Sequence, residues 1–245
     1  MDERLIPPRY RVLSGSALKV IATLSMFVDH AATVVPPDLG NKVLFSLLGK
    51  TFTPYYLMNA FGRIAFPIFC FLMVEGFLHT HDRKAYGTRL ALFALISEVP
   101  WNLWHTGKMI WLGKQSVFVT LAFAYLGLCL LERHEESDDA QQRKRLLVAM
   151  VALFAVMALA RCDYGVKGLG CTMALYLLRT KPVPRFIVGS SCLGSPVWGS
   201  FAFLPIGMYN GKRGFIKGRA LQLLFYVVYP AHMLLLWRIR MHMFG

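Results

Sequence analysis

Lys19 and His30 are the residues whose types and spacing first suggest chemistry. They stand eleven residues apart in an apolar run from about Ala17 to Val35. Eleven steps of about 100° return to within about 20° of the starting direction, so on a helix both project from one face, roughly 16 Å apart along the axis. That separation is comparable to an extended pantetheine arm. An ammonium at the mouth would hold phosphates while a thioester reached the imidazole. An imidazole titrates near neutral pH and can act there as a general base or a transient acyl carrier.

Other ionisable residues interrupt apolar runs that would otherwise suit hydrocarbon: Asp29 beside His30, then Arg63, Glu75, Glu98, Asp163 and His232. Each is costly in a bilayer unless it is paired or faces a wet cavity. One reading is a set of structural ion pairs, such as Asp29 with Arg63; the other is one polar centre to which several helices contribute. Asp29 points about 100° away from His30, which favours pairing across to Arg63 over orienting the imidazole. Pro67, Pro100 and Pro230 fall within apolar runs. Each removes an amide donor and would free the carbonyl four residues earlier, on Arg63, Ile96 and Tyr226, to line a cavity or simply to kink the helix.

The elements that must position these residues follow from composition. Of 245 residues 56% are hydrophobic and only 16% charged, with a mean hydropathy of +0.48. This surplus of apolar surface calls for a bilayer and rules out a second soluble domain. The expected fold is all-α: a polytopic transmembrane bundle of about 8 spans (range about 7–10), with room for one broken or re-entrant helix. Residues 1–16 form an N-terminal arm and 17–245 a single membrane domain. After the first helix, spans are expected near 55–78, 87–105, 115–131, 146–162, 164–178, 186–209 and 220–241. A short interfacial helix is expected within 38–54, where Val43, Leu44, Leu47 and Leu48 lie between Lys42 and Lys50.

The formal net charge of +14 would suggest nucleic acid as a partner of a soluble protein. In a membrane protein it reflects Lys and Arg gathered in cytoplasmic loops, so no nucleic-acid role is expected. With the N-terminus inside, the arm and the loops near 83, 138 and 182 carry about twice as many Lys and Arg as those near 46, 110 and 165. A cytoplasmic membrane with the N-terminus in the cytoplasm is the expected location. One unbroken span at 186–209 would put Lys212, Arg213, Lys217 and Arg219 outside, whereas a re-entrant pair around Gly194, Ser195 and Pro196 would return them inside; the residues leave both open. Cys70, Cys129, Cys162, Cys171 and Cys192 show neither a CxxC pair nor metal-ligand spacing, and no metal is expected.

Six segments, LKVIATLSMFVDH (18–30), FGRIAFPIFCFLMVEG (61–76), RLALFALISEVPWNL (89–103), DYGVKG (163–168), YNGKRG (209–214) and FYVVYPAH (225–232), resemble in order the TraX family of integral-membrane acetyltransferases. The resemblance spans nearly the whole chain. A well-known member of that family is implicated in N-terminal acetylation of conjugative F pilin, and the family is similar to a wider group of membrane acyltransferases with an Arg/Lys-x10-His motif, which Lys19 and His30 fit.

What the resemblance implies is acetyl transfer from acetyl-CoA to an amine or hydroxyl acceptor, a pilin-like peptide or a surface glycan, in the lipid bilayer. His30 would be base or acyl carrier, with Asp29 and Arg63 beside it, and His232 a second candidate base. Lys19, Arg63, Lys84, Arg89, Lys212 and Arg213 would hold the CoA, and Glu75, Glu98, Asp163 and Tyr229 the acceptor. Two alternatives stand beside this reading: a transporter with a buried polar path, and a structural partner of a secretion or conjugation machine.

Overall fold

A computed structural model describes residues 6–191 and 196–244. Helices account for most of it: α1 (Gly15–Ala31), α2 (Pro37–Gly40), α3 (Pro54–Gly62), α4 (Ala65–His79), α5 (Arg83–Thr106), α6 (Val117–Glu136), α7 (Ala140–Leu159), α8 (Gly165–Leu177), α9 (Pro182–Ser191), α10 (Pro196–Ser200), α11 (Phe203–Gly207) and α12 (Arg219–Phe244). Two three-residue strands, β1 (Phe45–Leu47) and β2 (Lys50–Phe52), form a hairpin. Local chemistry sets the boundaries. Ser14 caps α1 by accepting the Ala17 amide, Thr53 caps α3 in the same way ahead of Pro54, and Gly107, left-handed at φ 74°, closes α5 onto the Leu103 carbonyl.

Four stretches, Gly15–Val34, Pro54–His79, Val117–Glu136 and Ala220–Phe244, are long and apolar enough to cross a membrane. α5 and α7, at 24 and 20 residues, match them in length. Leu92, Leu95, Val148, Val151, Leu159, Leu224 and Leu235 stand exposed on the outer faces of α5, α7 and α12. Apolar surface on this scale suits a lipid solvent. Inside, the core is knit by α4, α6 and α8, where Phe77, Leu128, Leu169 and Leu175 are almost completely buried.

The segment 38–54 departs from the expected interfacial helix. It folds as the short α2 followed by the hairpin, because Leu48 and Gly49 both take positive φ (49° and 73°) and reverse the chain, and Phe45 and Phe52 then stack across the strands at 4.6 Å. Pro67 also differs from expectation: it sits in the first turn of α4, where no amide donor is needed, whereas Pro100 and Pro230 lie inside continuous helices.

The region expected as a span at 186–209 is three short helices, and the bend at Gly194 and Ser195 lies outside the described residues. α9 follows the C-terminal end of α8, and Phe186 of α9 packs on Phe203 of α11. The chain then returns to the start of α1: Leu13 bridges to Tyr209, the Gly15 amide donates to the Lys212 carbonyl and the Ser16 amide to that of Arg213. Lys212 and Arg213 therefore lie at the N-terminal end of α1, as a re-entrant pair requires. The same contacts tether the arm, whose last residues are built into the bundle.

Candidate functional site

Two cavities open at opposite ends of α1. The near one, about 380 Å³, lies at the N-terminal end of the helix, and the far one, about 830 Å³, at its C-terminal end.

His30 and Asp29 bring α1 to the far cavity, where Tyr55, Asn59 and Arg63 join from α3 and the break that follows it, Trp101, Trp104 and His105 from the end of α5, Lys114, Asp163 and Tyr164 from loops, and Gly165, Val166 and Lys167 from the first turn of α8. His30 Nδ1 lies 2.7 Å from His232 Nε2. The two rings are within 5° of parallel with centroids 5.0 Å apart. With so short an N···N distance, that separation means the imidazoles meet edge to edge through an in-plane hydrogen bond, not face to face.

The protons in this pair can be assigned. His232 Nδ1 is 3.0 Å from the Val228 carbonyl, which can only accept, so Nδ1 carries the hydrogen. In a neutral ring His232 Nε2 is then the acceptor, His30 Nδ1 is the donor, and His30 Nε2 keeps its lone pair. His30 is thus held as the base-competent tautomer on a side chain that lines the cavity.

Other contacts fix the walls. Trp104 lies 5.0 Å from the His30 ring, and its Nε1 donates to Thr33 Oγ1, which donates to the His30 carbonyl. Trp101 Nε1 donates to the Lys114 carbonyl, while Lys114 Nζ pairs with Asp163 Oδ1 at 2.6 Å. That ion pair rests on a backbone bridge between Gln115 and Cys162, through which the Asp163 amide reaches the Gln115 carbonyl. Asp29 lies against Gly62, where a Cβ would overlap its carboxylate, and Ser25 Oγ donates to the Phe61 carbonyl beside it.

The near cavity gathers Lys19 of α1, Arg89 of α5 and Arg213 of the returning loop, with Glu75, Tyr86, Tyr209 and Tyr226. Lys19 Nζ lies 5.5 Å from the Phe225 ring. The glycines of YNGKRG serve the turn: Gly211 and Gly214 have φ of 78° and 88°, and a side chain at Gly214 would overlap Ser14. Ser16 Oγ completes the clamp, donating to the Arg213 carbonyl and accepting the Ile216 amide.

The sequence-predicted residues therefore divide. His30, Asp29, Arg63 and Asp163 converge on the far cavity, with His232 as the hydrogen-bond partner of His30 and not a second base facing open space. Lys19, Arg89, Arg213 and Glu75 converge on the near one. Lys84 and Lys212 are exposed and line neither cavity. Glu98 is spent on structure, accepting the Ser116 amide that opens α6. Tyr229 is buried, packed edge-on against His232 at 5.5 Å. Asp29 and Arg63 share the cavity, but among the described residues no ion pair within 4.0 Å joins them; Arg63 acts on Asp29 through space.

Lys19 and His30 do sit on one helix, yet among the described residues none lines both cavities. The intervening turns are packed, with Ala22, Ser25 and Met26 buried and Phe27 set 4.8 Å from the His232 ring. Sequence reasoning did not single out Trp101, Trp104, His105, Lys114 or Lys167. The repeated aromatics of WNLWHTGKMIW were the available signal.

A helical bundle with an apolar outer surface and polar cavities at both ends defines an α-helical integral-membrane protein. Within that class the chain belongs to the TraX protein family, whose model matches residues 14–240. It is also 26% identical, over 93% of this chain and 96% of the other, to a Dichelobacter nodosus protein named probable fimbrial assembly protein FimC, serogroup H1. No solved structure matches the chain.

Proposed function

We propose that this protein is a membrane acetyltransferase that moves an acetyl group from acetyl-CoA to an amine or hydroxyl acceptor, in a bacterial inner membrane with the near end toward the cytoplasm. The observation that carries the reading is the His30–His232 pair: a histidine beside a large polar cavity, held with its Nε2 lone pair free. His30 Nε2 takes the proton of the acceptor as the acceptor nitrogen or oxygen attacks the thioester carbonyl; the C–S bond breaks, and the thiolate leaves with a proton. His232 keeps the lone pair of His30 available and accepts the Nδ1–H throughout.

Lys19, Arg89 and Arg213 suit the phosphates of the CoA, being three cations from separate elements around one cavity. The packed turns of α1 between the cavities require a passage beside the helix to open for the acetyl group to pass, a gating step of the kind that limits many enzymes. The fimbrial assembly name of the relative fits a pilin-like acceptor or another surface polymer. The transport reading draws no support from the family match.

The test is acetyl transfer by the purified protein in detergent, with radiolabelled acetyl-CoA and release of CoA followed together. Wild type should turn over, and His30→Ala should lose about 10²–10⁴-fold of the rate while keeping its detergent melting temperature. Undiminished turnover in that variant would remove His30 from the chemistry. Mass spectrometry of surface proteins and glycans from cells with and without the gene, searching for a difference of about 42 Da, identifies the acceptor.

A further inference from the structure

The far cavity holds more positive charge than its own walls neutralise. Lys114 is satisfied by Asp163. Arg63 and Lys167 line the same space, and among the described residues neither makes an ion pair within 4.0 Å or a side-chain hydrogen bond. Asp29 is the remaining acid, displaced against Gly62. Arg63 falls within the candidate span Pro54–His79, at the break between α3 and α4. Its side chain is exposed to the cavity, where a guanidinium without a hydrogen-bond partner of its own is open to a ligand.

A third donor set faces the same region. α8 begins at Gly165, with φ of 47°, and its N-cap Tyr164 supplies no side-chain bond to the first turn. Gly165, Val166 and Lys167 all line the cavity, so the first turn of a 13-residue helix, which has no side-chain cap, borders it. Tyr164 cannot swing in to cap that turn, since its ring is stacked on Phe66 with centroids 3.6 Å apart. A planar guanidinium, an ammonium and free amides around one space are complementary to an oxyanion; a neutral sugar would leave both cations unused, and an alkylammonium would meet them as like charges.

We propose that the acceptor carries an oxyanion, a phosphate or carboxylate, close to its nucleophile, and that Arg63, Lys167 and the first amides of α8 hold that group while the nucleophile faces His30. This rests on the acyl-transfer reading for the nucleophile but not for the anion subsite itself. Trp104, beside His30, supplies an aromatic wall against which the body of the acceptor can lie.

Two matched pairs of small acceptors test it and separate the two sources of negative charge: glucosamine against glucosamine 6-phosphate, and alaninamide against alanine. With wild type the member of one pair that carries the oxyanion should show a KM at least about ten-fold lower than its partner without one. In Arg63→Gln and in Lys167→Gln that preference should shrink to within about two-fold, and Arg63→Lys should keep part of it. Equal KM values within both pairs, or a preference untouched in both Gln variants, overturns the proposal. Binding of the same four compounds, read by quenching of tryptophan fluorescence without any acetyl-CoA, keeps the tests apart. Tighter binding of a member that carries the oxyanion, lost in the Gln variants, upholds the subsite even where no transfer is detected and the acyl-transfer reading fails. Binding without oxyanion preference overturns the subsite even where transfer proceeds.

Discussion

His30 and His232, 202 residues apart in sequence, meet through one 2.7 Å hydrogen bond, and a backbone carbonyl behind His232 decides which way the proton lies. Removing His232 should therefore release the tautomer of His30 without removing the base. His232→Ala is expected to slow acetyl transfer about 100-fold with little change in KM for acetyl-CoA. His232→Gln, whose side-chain oxygen can accept the Nδ1–H, should recover a substantial part of the rate. Steady-state kinetics on the three proteins check this, and a rate for the Ala variant equal to wild type would leave His232 as packing alone.

The near cavity should read the nucleotide half of the donor. Lys19→Gln and Arg213→Gln are each expected to raise the KM for acetyl-CoA by about ten-fold, since each removes a charge-assisted contact. Neither should alter the KM for S-acetylpantetheine, which lacks the 3′-phosphoadenosine diphosphate. Comparing the two donors under identical conditions gives the answer, and equal losses on both would place these cations elsewhere in the cycle.

Gly62→Ala is expected to destabilise the protein by about 1–3 kcal/mol, because an added methyl group would overlap the carboxylate of Asp29 in a packed seam. Detergent or denaturant melts should show the drop. Asp29→Ala combined with Gly62→Ala should leave most of the loss in place, since the Asp29 Cβ, which alanine keeps, meets the added methyl as closely as the carboxylate carbon does.

Glu98 caps α6 through the Ser116 amide, so its loss should be felt in stability and not in recognition. Glu98→Ala should cost about 1 kcal/mol while leaving KM for donor and acceptor unchanged. A raised acceptor KM at unchanged stability would return Glu98 to the binding site.

Much of this architecture was legible in the chain because long apolar runs with few charges admit little besides membrane helices, and Lys19 and His30 stood out as charges those runs could not absorb. The hairpin at 45–52 was not read: its leucines and phenylalanines suit an interfacial helix equally well, and only the left-handed turn at Leu48 and Gly49 decides between them. Lys114 looked like a loop cation. Its bond to Asp163 depends on a bridge between chain segments about 50 residues apart, which no local pattern encodes. Asp29 and Arg63 were matched by charge alone; the structure brings both to one cavity, with Asp29 seated against Gly62 and no ion pair between the two among the described residues.

The clamp of residues 208–216 onto the start of α1 has a consequence for biogenesis. Lys19 leaves the ribosome long before Arg213 does, so the first helix must wait in the bilayer until the returning loop is made before the near pocket can close. A product truncated before the returning loop would insert its early helices and still lack one wall of that pocket, and supplying the missing tail as a separate peptide is the direct way to rebuild it.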